Sequence, residues 1–352
     1  LPRVEIRKLR LRQTRVLIFD EPMGVLPPIE TEQLFKAMRR MADQGKAIVF
    51  ISHKLAEVMA VADEVAILRR GEVVDTLAAA EIVSREALAR RMVGREVMLE
   101  VEKETVPRGE RVLSVRGLRA GDLRGVDLDL SRGEILGIVG VAGNGQKELV
   151  EVVCGLRPPE EGQVEILNLP WRRFFARNRP EPVLSYIPED RLGVATCPGL
   201  DLRDNFLLTT REGFCRGPWL LGKQAEGKAR ETVENFRVQP MNVFALARQL
   251  SGGNLQKMVV GREFFRRPRL IVAEQPTQGL DVAATEEVWR HLLDGRKQAG
   301  ILLVTGDLTE ALALSDRIAV MFGGRIMDVF DAADEKKVAR IGPLMAGISS
   351  AA

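Results

Sequence analysis

The sequence predicts an α/β protein that holds two copies of one domain, the first of them present only in part. Three observations carry that expectation. They are a long internal repeat, a glycine-rich loop set between an apolar strand and a helix, and acidic residues at the ends of apolar strands.

The repeat comes first because it divides the chain. Gly45–Asp75 (GKAIVFISHKLAEVMAVADEVAILRRGEVVD) returns as Gly300–Asp328 (GILLVTGDLTEALALSDRIAVMFGGRIMD). Glu57 matches Glu310, Asp63 matches Asp316 and Asp75 matches Asp328, each pair 253 residues apart. Upstream, Leu17–Pro22 (LIFDEP) matches Ile271–Pro276 (IVAEQP) at an offset of 254. The second copy extends well ahead of its matching segment, from near Arg111. On the same offset, the counterpart of Gly140 would fall about 113 residues before Leu1, and that of Ser251 about three before it. The first copy is therefore expected to lack its front part. The resulting division is 1–95 for the back of the first domain, 96–110 for a charged linker, 111–335 for the second domain and 336–352 for a C-terminal tail.

Composition narrows the class. The 352 residues are 45% hydrophobic and 29% charged, which suits folded domains and excludes a disordered chain. A net charge of +3 makes no demand for nucleic acid, and no nucleic-acid partner is expected. The basic run Arg3–Arg15 could serve as a nucleic-acid or membrane patch, but apolar residues interleave with its charges, and a solvated helix face is the expectation. Three cysteines without metal-ligand spacing and only two histidines argue against a zinc site. The chain shows no signal-peptide pattern, and no apolar run approaches the roughly 20 residues that span a bilayer. Work at a membrane would then go through a partner.

The chemistry sits at strand ends. Gly133–Val139 is an apolar strand followed by GVAGNGQKELVEVV, with Gly140, Gly143, Asn144 and Gly145 leading into a helix near Gln146. Such a loop points backbone N–H groups at phosphate, helped by the helix N-terminus. The spacing fits G-x-x-x-x-G-K-[ST] as far as Gly145 and then fails, because Gln146 takes the lysine position and Lys147 the hydroxyl position. Lys147 is turned about 100° around the helix from the lysine position, so it is a poor substitute. On its own the loop could be a tight turn. LSGGN (Leu250–Asn254) offers a second anion-binding helix start at Ser251, Gly252, Gly253 and Asn254, and by itself could be an ordinary serine cap. Next come the apolar strand Leu270–Ala273, Glu274-Gln275-Pro276-Thr277 and the Gly279-Leu280-Asp281 turn. In the first copy Val16–Phe19 ends in Asp20-Glu21, and Ile48–Ile51 leads to Ser52-His53.

Taken in order, the glycine loop, LSGGN, the acidic strand end with its GLD turn, and the late strand with ISHK resemble the motif set of ATP-binding-cassette (ABC) ATPases. GVAGNGQKEL, SYIPEDR (Ser185–Arg191), LSGGNLQK and EQPTQGLD look more narrowly like the tandem ATP-binding subunits of bacterial simple-sugar and nucleoside importers. The resemblance implies a P-loop NTPase fold in each copy, an α/β core with an antiparallel β subdomain. In the second copy it adds a mostly helical insert over 194–265. It also implies ATP and Mg²⁺ as cofactors, with Asp20 in the magnesium shell, Glu21 as general base on the attacking water and His53 at the γ-phosphate. Glu148 of the loop helix and Glu189, where many relatives have glutamine, join the nucleotide-binding set. Copy two departs from the pattern: Glu274 stands in the aspartate position, Gln275 in the general-base position and Gly306 in the histidine position. Glutamine is not a useful proton acceptor, so hydrolysis there should be impaired. In copy one, Met23 and Pro27-Pro28 depart from the usual turn. Integral membrane permease subunits, and indirectly a periplasmic or lipoprotein substrate-binding protein, are the implied partners. Asp201–Leu208 and Phe214–Leu221 would face the permease, at the cytoplasmic side of the cell membrane. A non-catalytic remnant and a ribosome- or DNA-acting ABC ATPase are the alternatives.

Overall fold

The computed structural model describes residues 14–22, 28–52, 55–69, 71–82, 84, 87–88, 91–92, 103–176 and 183–348. His53, Met23, Pro27 and most of the basic run at Arg3–Arg15 lie outside these residues. The chain divides into two compact units, residues 1–99 and, apart from Asp281–Ala283, residues 100–352.

In the first unit, strands β1 (Val16–Asp20) and β2 (Ala47–Ile51) pair in parallel, from Val16↔Ala47 to Asp20↔Ile51. Helix α1 (Pro28–Asp43) connects them. Its Leu34, Met38 and Met41 recur at helical spacing and bury Leu17 and Phe19 beneath one face of the strand pair. The opposite face is open to solvent: Val16, Ile18, Val49 and Ile51 are 58%, 69%, 52% and 53% exposed. After α2 (Leu55–Val61), β3 (Glu64–Arg69) and β4 (Glu72–Ala78) form an antiparallel hairpin with a bulge between Ile67 and Leu68.

The second unit is built on a six-stranded sheet and a four-stranded antiparallel sheet. The antiparallel sheet comprises β5 (Arg111–Ala120), β6 (Leu123–Ser131), β8 (Glu161–Ile166) and β9 (Leu169–Pro170) in the order β6-β5-β8-β9. The larger sheet has β7 (Ile135–Val139) near its middle, with β10 (Leu184–Ile187), β13 (Leu270–Glu274), β14 (Gly300–Thr305), β15 (Arg317–Phe322) and β16 (Arg325–Asp331). Its order is β10-β13-β14-β7-β15-β16, parallel except for β16. Burial on both faces explains why β7 and β14 read as nearly unbroken apolar runs. Leu270 and Val272 of β13 face the antiparallel sheet and helix α3 (Gln146–Val153), while Ile271 and Ala273 face Val259, Val288 and Leu292 on the other side. The short α4 (Trp171–Ala176) closes the first of these layers through Phe174.

The expected helical insert is present. Helices α5 (Leu202–Thr210), α6 (Gly222–Asn235) and α7 (Gly252–Phe265) enclose a separate core of Leu202, Phe206, Ala229, Val233, Leu255 and Met258. A small hairpin of β11 (Cys215–Arg216) and β12 (Trp219–Leu220) projects between the first two. Helices α8 (Val282–Arg296) and α9 (Leu308–Leu314) flank the sheet.

Two expectations at the margins of this unit change. The stretch expected as a tail packs: α10 (Glu335–Val338) and α11 (Ile341–Met345) follow β16, and Ile341, Leu344 and Met345 bury against Val139, Ile318 and Phe330. The apolar residues cover one turn of a helix, enough to dock it. The rear of the expected linker is likewise tied down, with Lys103 paired to Asp316 at 3.0 Å and the Gly109 N–H donating to the Arg132 carbonyl at 2.8 Å.

The two units share local geometry at the repeat offset. The β15–β16 hairpin carries its bulge between Val320 and Met321, 253 residues after the one in β3–β4. Among the described residues, no helix is long and apolar enough to cross a membrane. Phe206 is fully buried in the helical insert and packs 5.0 Å, ring to ring, from Phe265. Phe206→Ala is expected to cost about 3–5 kcal/mol in a urea-unfolding measurement; a loss below about 1 kcal/mol would mean that this core is not packed as described.

Candidate functional site

Parallel pairing places the functional residues at the carboxyl ends of neighbouring strands, where open α/β sheets collect ligands. The glycine loop follows β7, Glu189 follows β10, Glu274 and Gln275 close β13, and Gly306 follows β14. In the first unit Asp20 ends β1 and is exposed, and Glu21 comes next.

Glu21 and Gln275 have the same backbone. Their φ angles are 43° and 44°, in the left-handed region that side-chain-bearing residues rarely adopt. The Glu21 N–H donates to the Ile51 carbonyl at 3.0 Å, and the Gln275 N–H to the Val304 carbonyl at 2.8 Å. Each bond reaches the neighbouring parallel strand, and Ile51 and Val304 are themselves the register partners of Asp20 and Glu274. The two positions differ in side-chain chemistry. Glu21 carries a carboxylate, whereas the Gln275 Oε1 accepts from the Gly306 N–H at 3.2 Å. A second feature recurs one strand on: the Ser52 hydroxyl donates to Glu57 at 2.5 Å. In the second unit buried Glu310 accepts from Thr277 at 2.7 Å and from the Trp289 indole at 3.1 Å. Burial pushes the Glu310 carboxyl up, against the lowering pull of those donors and of Thr305.

The glycine loop is closed on itself. Gly145, at φ 103°, and Gly143, at φ 86°, supply turns that a Cβ would strain. The Gln146 side chain folds back into the loop, where its Oε1 accepts from the Asn144 N–H at 3.1 Å. Its Nε2 donates to the Val141 carbonyl at 3.1 Å. A Cβ on Gly140 would lie 2.5 Å from that Nε2, so the glycine is what lets the amide in. Asn144 fixes the other flank, donating to the Val141 carbonyl at 2.7 Å and accepting from the Gly323 N–H at 2.7 Å. At least one N–H that a phosphate would need is thus held by a neutral amide of the same chain.

Lys147 points elsewhere. It lines an open cleft of about 530 Å³ with Tyr186, Glu189, Arg191, Glu274 and Gln278. The Tyr186 hydroxyl donates to the Glu274 Oε2 at 2.5 Å. Burial raises the Glu274 carboxyl above its ordinary value and the nearby Glu189 adds to this, while Tyr186 and the Lys147 ammonium pull it down. Burial and the same hydrogen bond hold the Tyr186 hydroxyl in its neutral form. Glu148 is not in this cleft; a Cβ on Gly121 would come within 3.1 Å of its Cγ, so it turns toward the β5–β6 bend.

The signature segment caps its helix as expected. Ser251 is the N-cap of α7, its hydroxyl accepting from the Asn254 side-chain amide at 3.0 Å and from the Asn254 N–H at 3.5 Å. The Asn254 Oδ1 in turn accepts from the Gln239 N–H at 2.8 Å. Ser251 and Gly252 are exposed, so the positive end of a fourteen-residue helix faces solvent. Two residues without an assigned role in the sequence prove central here. Arg191 donates to the Gln278 carbonyl, and a Cβ on Gly252 would lie 3.2 Å from its Nη1, so it links the turn after Gln275 to the signature helix. Tyr186 holds Glu274. Both lie in or beside the quoted SYIPEDR, and being the chain's single tyrosine was the available signal for the second. His291 stacks on Phe236 with ring centroids 4.1 Å apart, and burial lowers its pKa below the ordinary imidazole value.

The donor sets differ toward magnesium. Asp20 and Glu21 bring carboxylates, which suit a hard cation. In the second unit Lys147 fills the hydroxyl position with a group that only donates, and it cannot ligate a metal. A glycine loop, a capped signature helix and an acidic strand end on one parallel sheet define a phosphate-loop nucleotide-binding ATPase domain. Residues 123–278 match the family model for ABC transporters. The chain is 42% identical over 336 residues to a glucose import ATP-binding protein, TsgD13, of Haloferax volcanii, covering 92% of this chain and 61% of that protein. It is 39% identical over 357 residues to the guanosine import ATP-binding protein NupO of Bacillus subtilis, covering 98% of this chain and 69% of that one. Among solved structures, an ATP-binding subunit of an ABC transporter superposes with a TM-score of 0.55 at 22% identity, over 68% of this chain and 95% of that one. The chain belongs to the family of ABC-transporter ATP-binding proteins, and ATP is its expected ligand.

The pH response of Glu274 follows in sign. A carboxyl raised in the fold adds stability that is complete below its unfolded value and is lost as pH rises through the folded one. Urea unfolding between about pH 4 and pH 8 should show the wild type losing ground to Glu274→Gln as pH rises. A parallel pair of curves would contradict the assigned environment. Glu310, raised as well, contributes the same background to both proteins.

Proposed function

We propose that the chain serves as the ATP-binding subunit of an importer for a simple sugar or a nucleoside, coupling ATP binding and hydrolysis to uptake through membrane permease subunits. A glucose importer and a guanosine importer among the relatives leave both cargo classes open. A peripheral position at the cytoplasmic face of the cell membrane fits the reading, as does a substrate-binding protein that meets the permease rather than this chain. The two copies are read as tandem nucleotide-binding domains, 1–95 and 111–335, acting as unequal partners.

The observation that carries this reading is the shared backbone at Glu21 and Gln275 with its exchanged side chain. By the family resemblance, Asp20, Glu21 and His53 of the first copy, and Ser251, Gly252, Gly253 and Asn254 of the second, would serve nucleotide. Asp20 would hold Mg²⁺, and Glu21 would accept a proton from the attacking water. The other site, with Gly140, Gly143, Asn144, Gly145, Gln146, Lys147, Glu189, Glu274 and Gln275, would bind nucleotide and govern closure without hydrolysing it. Closing and opening of the pair would switch a permease between its two access states.

Deleting the gene should abolish uptake of one of labelled glucose, ribose or guanosine in the source cell. Unchanged uptake of every candidate sugar and nucleoside would overturn the assignment. In purified form the 352-residue chain is expected to hydrolyse ATP near background, since its single glycine loop lacks the lysine. Gln275→Glu should leave it there, because restoring a base does not open the loop. Steady turnover by the unmodified chain would sink the division of labour between the copies.

A further inference from the structure

We propose that the second copy's site takes its nucleotide as the metal-free polyphosphate anion, with the Lys147 ammonium in the place of a magnesium ion. The inference rests on the nucleotide-binding reading of that site.

Three features point the same way. Lys147 occupies the position that elsewhere offers Mg²⁺ a hydroxyl oxygen, and an ammonium both lacks a lone pair and repels a cation. It nonetheless lines the cleft together with Glu274. Glu274, the acidic residue that would complete a metal shell, already binds the Tyr186 hydroxyl through Oε2 at 2.5 Å.

The same cleft can answer an anion without a metal. Arg191 lines it as a second cation. Its Nε is buried and has no hydrogen-bond partner among the described residues, although Nη2 is held by the Gln278 carbonyl. A guanidinium and an ammonium facing one cleft can each donate to phosphate oxygens. Asp190 is engaged with the Gly193 N–H at 2.8 Å, which draws one carboxylate away from the ligand. Glu189 and Glu274 also line the cleft, and Lys147 and Arg191 are the cations that would offset them. The Gln146 amide must swing aside for phosphate to enter the loop, and as a neutral group it leaves charge compensation to Lys147 and Arg191. Fixed cations would thus replace a mobile one, and the site would hold nucleotide without the metal geometry that supports hydrolysis.

The test is a titration of the 352-residue chain with ATP by calorimetry, in millimolar magnesium chloride and again in EDTA. Wild-type affinity is expected to agree within about twofold between the two conditions. Lys147→Thr, which restores a hydroxyl, should lose about tenfold or more in EDTA, the scale of one charge-assisted hydrogen bond, and recover with magnesium. Lys147→Ala should be weak in both. Wild-type binding that is tenfold tighter in magnesium would overturn the proposal while leaving the nucleotide site in place. Absence of binding in both conditions would overturn the nucleotide reading as well. The wild-type comparison decides the matter even where a variant fails to fold.

Discussion

One backbone constraint organises the site: the residue after an acidic strand end must enter the left-handed region so that its N–H can reach the neighbouring parallel strand. Glu21 and Gln275 both do this, at φ 43° and 44°. The hydrogen bond offsets part of the strain of a left-handed side-chain-bearing residue, which costs about 1–3 kcal/mol. It also aims the side chain past the strand ends rather than along the sheet. Because the peptide geometry is the same in both copies, the change from carboxylate to amide can alter chemistry without disturbing the fold. Gln275 uses the opportunity differently, binding the Gly306 N–H that stands where a histidine would be. Two substitutions that look independent in the sequence therefore meet in one hydrogen bond.

The glycine loop follows similar logic. A phosphate loop without its lysine has converging N–H dipoles and no compensating ligand, a situation that invites an internal acceptor. Gln146 provides one, and Gly140 leaves the room for it. Any phosphate must therefore compete with an amide already in place. An amide hydrogen bond is worth about 1 kcal/mol net, whereas bonds to charged groups are worth about 1.5–3. A polyphosphate can displace Gln146, but only with cations such as Lys147 and Arg191 to complete the exchange.

The strand ends were legible in the sequence because apolar runs and glycine spacing are local signals, while the helical insert was what the family resemblance implied. Gly133–Val139, Leu270–Ala273 and Val16–Phe19 became β7, β13 and β1 within a residue or two. What could not be read depended on contacts across the chain. The turning of Glu148 toward Gly121 and the folding back of Gln146 are choices among side-chain directions that no spacing rule encodes. Arg191 acquires its role from Gln278, 87 residues away in sequence. The stretch 336–352 reads as a tail from its GISSAA end. Ile341, Leu344 and Met345 dock because β15 and β16 present Ile318, Val320 and Phe330 to them.

The repeat also explains an otherwise odd surface. Val16, Ile18, Val49 and Ile51 are more than half exposed, yet their matches at the repeat offsets, Leu270, Val272, Leu302 and Val304, are at most 3% exposed. In the second unit α3 and the antiparallel sheet cover that face. The strand pair of the first unit is written for burial on both sides, as parallel strands are. Each such side chain gains about 1.5–3 kcal/mol on full burial, so four half-exposed positions forgo several kcal/mol. That is comparable with the whole stability of a small domain. Asp20 and Glu21 thus sit at the end of a strand pair covered on one face by Leu34, Met38 and Met41.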